Sequence, residues 1–299
     1  MIARVAIVGA GRVGTTLTRA LVEAQYDVVS VMSRTLGSAQ KAVNTANENN
    51  STAVDKIADI AASDIVFLTV PDELIKATAR EIMESAVDTK AICHCSGAKS
   101  SAELQFAADA GMRVASMHPL QSFADPGTAM ANLPGTYWAL EGVEGLTDEL
   151  QTMIQRLQGI CLPIKRDQKV AYHAGAVLAC NYLYTLESIA TKVMSQSGIP
   201  PEDCLKALMP LLQGTLNNMG SVGLPQALSG PISRGDIHTV EQHLSNLSSI
   251  SSPERAREVY SLMGMEAIDM ATKQITGIDS DTAERLRSLL DPQKKYSNQ

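Results

Sequence analysis

The chain has 299 residues, 45% hydrophobic and 19% charged, enough apolar sequence for one large core or two ordinary ones, and it predicts a soluble globular protein of two domains. A net charge of −7 excludes a nucleic-acid or anionic-membrane surface, because no basic excess exists to displace counterions; a small-molecule partner is expected instead. No apolar run reaches membrane-spanning length, no basic leader precedes an apolar segment, and the five cysteines are odd in number, which together predict reduced thiols and a cytoplasmic location.

Residues 3–9, "ARVAIVG", open the chain as a strand. The next strand candidates are 27–33, 64–70, 90–95, 112–118, 136–142 and 159–164. Helical patterns at 13–24, 36–47, 72–86 and 99–110 separate the early ones, so right-handed crossovers and a doubly wound, mainly parallel sheet are expected. After Pro163 the strand alternation stops. Helices are predicted at 168–197, 201–218, 236–248, 253–271 and 279–290, with a frayed tail beyond. The expected architecture is a Rossmann-like α/β domain over 1–165, followed by an all-helical domain over 166–299.

Between the first strand and the first helix stands Gly9-Ala10-Gly11-Arg12-Val13-Gly14. The pattern GxGxxG is weak alone, but a strand before it and a helix after it make it a dinucleotide fingerprint. Gly9 permits the turn, Gly11 lets backbone approach a pyrophosphate, and Gly14 lets the helix pack close, with Arg12 and Val13 in the helix start that faces the phosphates. At the end of the second strand, where an acidic residue would bond a ribose hydroxyl, the chain reads Ser33-Arg34-Thr35. A guanidinium flanked by hydroxyls favours a 2′-phosphate, so NADP(H) is the predicted cofactor. Val70 and Pro71, at the end of the 64–70 strand, are placed along the nicotinamide half.

Further along, "HCSGAKSS" puts Ser96 at a strand end, where its hydroxyl can bond a substrate, or simply cap a turn. Strand alternation throws Cys93 and Cys95 to one face and His94 to the other, so no metal site is expected. His118 ends the next strand, ahead of a long loop read as a lid or binding loop. In 169–187, Lys169, His173 and Asn181 follow one another at spacings of four and eight, one stripe of a helix. His173 is a candidate proton donor, and Asn181 a group that orients substrate or nicotinamide. In "LSGPISRGD", Arg234 is placed to meet a substrate carboxylate. Asp236 is read either beside it in a substrate site or as a helix N-cap.

The fingerprint, "HCSG", "HPLQSF", "YHAGAVLACNYL" and "GPISRGD", in that order, resemble a bacterial oxidoreductase-like family that joins a Rossmann-like domain to a helical domain of unknown function, DUF2520. That family is similar to ketopantoate reductases, pyrroline-5-carboxylate reductases and hydroxyacid dehydrogenases. The resemblance implies a nicotinamide-dependent reductase with its site between the domains and a homodimer built through the helical one. In the ketopantoate reductase and hydroxyacid dehydrogenase relatives a lysine stands four residues before the helical asparagine; here that place is Val177, and His173 is expected to substitute. The expected reaction is NADPH-dependent reduction of a small 2-oxo acid such as ketopantoate, with His118 or His173 giving the proton. The alternatives are reduction of an imino acid and noncatalytic NADP(H) sensing.

Overall fold

The computed structural model describes residues 3–46, 50–85, 87–249 and 254–291; the tail expected to fray lies almost wholly outside them. Two compact units emerge, residues 1–181 and 182–299.

The first unit alternates strand and helix: β1 (Arg4–Val8), α1 (Arg12–Glu23), β2 (Asp27–Met32), α2 (Leu36–Asn44), β3 (Thr52–Val54), β4 (Ser63–Leu68), α3 (Ile75–Glu84), β5 (Thr89–His94), α4 (Gln105–Asp109), β6 (Arg113–Pro119), α5 (Pro126–Ala131), β7 (Tyr137–Gly142), α6 (Leu146–Arg156), β8 (Ile160–Pro163) and α7 (Lys169–Ala179). One sheet of eight strands runs β3-β2-β1-β4-β5-β6-β7-β8. All its pairings are parallel except β6 with β7. The order reverses between β1 and β4, the switch point outside whose strand ends a doubly wound sheet binds its ligand.

The central strands carry apolar residues on both faces because both faces are covered. Val5, Ile7, Ile65 and Phe67 pack into a core with Leu17, Trp138 and Leu150. Ala6, Val8, Val66 and Leu68 pack into another with Ile75, Ile82 and Leu104.

All seven expected strands form, and β3 joins them. Its three residues, "TAV", are too short for alternation to register. The stretch read as a lid after His118 contains a short helix, α5, capped by Asp125, whose carboxylate accepts from the Gly127 and Thr128 amides. Helix α6, which buries Leu146, Leu150, Met153 and Ile154, went unread.

The predicted helix 168–197 is two helices. It breaks at Cys180 (φ −113°, ψ −64°), and Asn181 opens α8 (Asn181–Ser195). The stripe that was to join Lys169, His173 and Asn181 along one helix therefore ends before Asn181. The first unit also runs past residue 165, because α7 is held to the strand ends by the contacts described below.

The second unit comprises α8, α9 (Pro201–Val222), α10 (Ile237–Ser249), α11 (Glu254–Ala271) and α12 (Ser280–Leu290). Its own core is small: Val240, Leu244, Ile268, Ala283, Leu286 and Leu290.

Candidate active site

The turn after β1 is built from its glycines. Gly9 adopts φ +111°, and a Cβ there would lie 2.7 Å from the Thr69 carbonyl oxygen. A Cβ on Gly14 would collide with the Gly9 carbonyl. Thr69 fastens the turn from β4, its hydroxyl donating to the Gly9 carbonyl at 2.6 Å. Gly11 differs from both, since a Cβ there would meet nothing within 4 Å. It is the N-cap of α1, and no side chain caps the helix, so the first amides and the positive end of its dipole face open space. An anion fits there, and the residues present suit a dinucleotide diphosphate.

A cleft of about 610 Å³ leads from this turn, lined by Gly11, Arg12, Arg19, Ser38 and Lys41 among others. Arg34 is exposed at the end of β2. Thr35 is engaged in the fold: it caps α2, accepting from the Ser38 amide and donating to the Ser38 hydroxyl at 2.8 Å. Val70 and Pro71 follow β4, and the Pro71 carbonyl accepts from Leu74 in a 3-10 turn.

The second cluster stands at the same edge, at the ends of β5 and β6. His94 is buried, and its Nδ1 accepts from the Ser96 amide at 3.2 Å, which leaves the ring proton on Nε2, an atom with no partner. Ser96 is committed on three sides. Its amide goes to His94, its hydroxyl oxygen accepts from the Lys99 amide at 2.9 Å, and its carbonyl accepts from Lys169 Nζ at 2.7 Å. The hydroxyl keeps its own proton to donate.

His118 shares a 2.8 Å hydrogen bond between Nδ1 and the Tyr172 hydroxyl. The His173 ring stands edge-on to it, with centroids 6.1 Å apart. Gly97 lies beneath both imidazoles: a Cβ there would collide with His173 and come within 2.9 Å of His118 Nε2. The structure thus brings Ser96, His118 and His173 together, and adds Tyr172, Lys169 and Gly97.

Burial, reinforced by the Lys169 charge, lowers His94 and His118 to about 4, so both rings are neutral near pH 7. Burial raises Tyr172 to about 12, which keeps its hydroxyl protonated. The arrangement can hold and pass a proton through neutral donors.

Asn181 is exposed at the start of α8. In the second unit, Asp236 serves as the N-cap of α10, accepting from the Thr239 amide at 3.1 Å and its hydroxyl at 2.7 Å. Each carboxylate oxygen accepts one of these bonds, so the geometry carries the capping reading. Arg234 is exposed on the loop before it.

The residues missed from sequence are Tyr172 and the ring of contacts around Lys169. Tyr172 stands beside His173 in "YHAG", but nothing in linear spacing aims a residue of α7 at a residue 54 positions earlier.

Residues 2–119 match the model of a Rossmann-like domain, and residues 136–267 match the domain of unknown function DUF2520. No curated protein matches the chain. Among solved structures, protein TM1727 from Thermotoga maritima is 26% identical and superposes with a TM-score of 0.71, over 89% of this chain and 98% of that one. A putative NADP oxidoreductase, BF3122 from Bacteroides fragilis, is 18% identical with a TM-score of 0.68, over 89% and 98%. An imine reductase from Myxococcus stipitatus in complex with NADP+ is 17% identical with a TM-score of 0.61, over 95% and 99%. At such identities the last two establish a shared fold.

Proposed function

The chain belongs to the proteins that join a Rossmann-like domain to a DUF2520 domain, and from that premise we propose that it is an NADPH-dependent reductase of a small C=N acceptor, an imine or imino acid. One observation carries the reading: the uncapped start of α1 beside Gly11, at the β1/β4 switch point of the sheet. Ketopantoate, suggested by the sequence, has no support among the similar structures, one of which is an imine reductase. A C=N acceptor replaces it.

The bound cofactor supplies a hydride. Gly9, Gly11 and Gly14 shape the turn that receives its diphosphate, while Arg12, Val13 and Gly14 offer amides. Arg12, Arg34, Ser33, Ser38 and Lys41 supply the cations and hydroxyls for a 2′-phosphate. Backbone at Val70 and Pro71 lines the nicotinamide side. The Ser96 hydroxyl donates to the acceptor and orients it, and His173 or the His118–Tyr172 pair gives the proton that the nitrogen gains as the carbon gains hydride. The products are an amine and the oxidised dinucleotide.

Calorimetry with NADPH and NADH, followed by oxidation assays on cyclic imines and 2-oxo acids, tests this. Binding of NADPH with turnover of an imine is expected; absence of heat from either dinucleotide overturns it.

We further propose that a second copy of the chain covers the apolar faces of α8 and α9. Of these helices' 15 and 22 residues, Cys204 alone is buried, while Tyr182, Tyr184, Leu186, Met209, Leu211 and Leu216 stand exposed.

A further inference from the structure

Lys169 is 1% exposed, the most deeply buried Lys, Arg, Asp or Glu among the described residues of the first unit. Among the described residues no carboxylate lies within ion-pair reach of it. Its ammonium donates instead to two neutral oxygens, the Ser96 carbonyl at 2.7 Å and the Ser116 hydroxyl. Ser116 in turn donates to the Ser96 carbonyl at 3.5 Å, closing a triangle across α7, the turn after β5 and the interior of β6. A buried cation without an acid is costly to keep, and an apolar side chain of similar length would fill the same volume more cheaply. Stability alone is a poor reason for this residue.

The triangle lies directly behind the proposed chemistry. Ser96 and Gly97 form the turn on which His118 and His173 rest, and the Ser96 carbonyl is the atom that Lys169 holds. We infer that Lys169 is a positioning residue, whose buried ammonium clamps the 96–97 turn to β6 and so holds the seat on which His118 meets Tyr172 and His173.

The charge balance around the two groups supports this. His118 faces Lys169, His173 and Tyr172 from α7 and His94 from β5; none of these supplies a negative charge. The groups that favour the charged lysine are more remote: Glu141 from β7, Cys93 and Cys95 from β5, and Asp72. Glu141 is itself committed, accepting from the Ser101 amide and hydroxyl at 2.6 and 2.7 Å. Burial lowers Lys169 from its ordinary value, and Lys169 follows burial in lowering His118 and His94.

The inference rests on the proposed reductase reading for its catalytic meaning only, and its test needs neither cofactor nor substrate. The full chain would be prepared with Lys169→Met, Lys169→Gln and Lys169→Arg, and the ring proton signals of His118 titrated by NMR. The neutral variants are expected to raise His118 part of the way from about 4, since burial, the larger cause of its low value, remains, while Lys169→Arg keeps it low. Faster amide exchange at Ser96 and Lys99 in Lys169→Met would report the loosened turn. If the methionine variant fails to fold, glutamine, which keeps a neutral hydrogen-bond donor on a side chain one bond shorter, carries the comparison with arginine. Unchanged amide exchange at Ser96 and Lys99, together with identical His118 titrations in the charged and neutral variants, overturns the inference, whatever the enzyme assays show. A shifted titration in a protein that turns over no imine would uphold Lys169 and sink the reductase reading instead.

Discussion

At Gly97 a single methyl group would press on two imidazoles. Gly97→Ala therefore forces His173 and His118 apart, and overpacking of this kind costs about 1–3 kcal/mol. The expected result is a large loss of kcat, with dinucleotide affinity unchanged, because the glycine turn after β1 is untouched; equal loss of both would place Gly97 outside the proton-handling cluster. The buried histidines also fix a pH dependence. His94 and His118 have folded values of about 4, below the 6.5 of an unfolded imidazole. Between those values the unfolded chain binds protons that the folded one refuses, so stability rises with pH across the window and falls as acid is added. Urea unfolding at pH 7 and pH 5 is expected to show a lower midpoint at pH 5, and His94→Gln should flatten the difference. The sequence supplied Ser96, His118 and His173 because a polar residue at a strand end or on an apolar helix stands out locally. It did not supply Tyr172 as the partner of His118, nor Ser96 and Ser116 as the partners of Lys169, since those pairings join residues more than fifty positions apart.

The loop between β1 and α1 makes different demands on its glycines, and substitution separates them. Gly14→Ala sets a methyl against the Gly9 carbonyl and should lower the unfolding midpoint severely. Gly11→Ala meets open space and should leave the midpoint nearly unchanged, because exchanging glycine for alanine at an N-cap costs at most about 1 kcal/mol. Yet the same methyl projects where the diphosphate would approach, so NADPH affinity should fall tenfold or more by titration calorimetry. Unchanged affinity in Gly11→Ala would mean that no dinucleotide uses this turn. Cofactor choice is testable beside it: Arg34→Ala should weaken NADPH far more than NADH, and an equal effect on both would remove Arg34 from phosphate recognition. Elements with strong periodicity were legible, including all of the central strands and α1. Of those that went unread, β3 and α5 lacked length, and the boundary at Cys180 lacked a clear break, since an apolar run continues across the end of one helix into the next; α6 had both length and an apolar face, and was legible but not read.

For the molecule as a whole, the amount of apolar surface decides the argument for a second copy. Helix α9 has 22 residues and is thus about 33 Å long. Isolated helices gain most of their stability from packing an apolar face, yet among the described residues neither α8 nor α9 runs in extended contact along another helix of the second unit. In the same unit, the α8 stripe Leu186, Ile189, Ala190, Val193 and Met194 and the α11 stripe Val259, Tyr260, Met263 and Ala267 line one apolar cavity of about 680 Å³. Faces roughly 10 Å wide along α8 and α9, about 22 and 33 Å long, give about 550 Å² on each copy and about 1,100 Å² over both, just above the roughly 1,000 Å² that a specific interface should clear. Sedimentation velocity at micromolar concentration should therefore find a dimer. Leu211→Lys with Leu216→Lys, both on exposed positions of α9, should shift it to monomer without lowering the NADPH affinity proposed for the first unit. A wild-type chain that sediments as a monomer at every concentration would mean that α8 and α9 are covered by something other than a second copy.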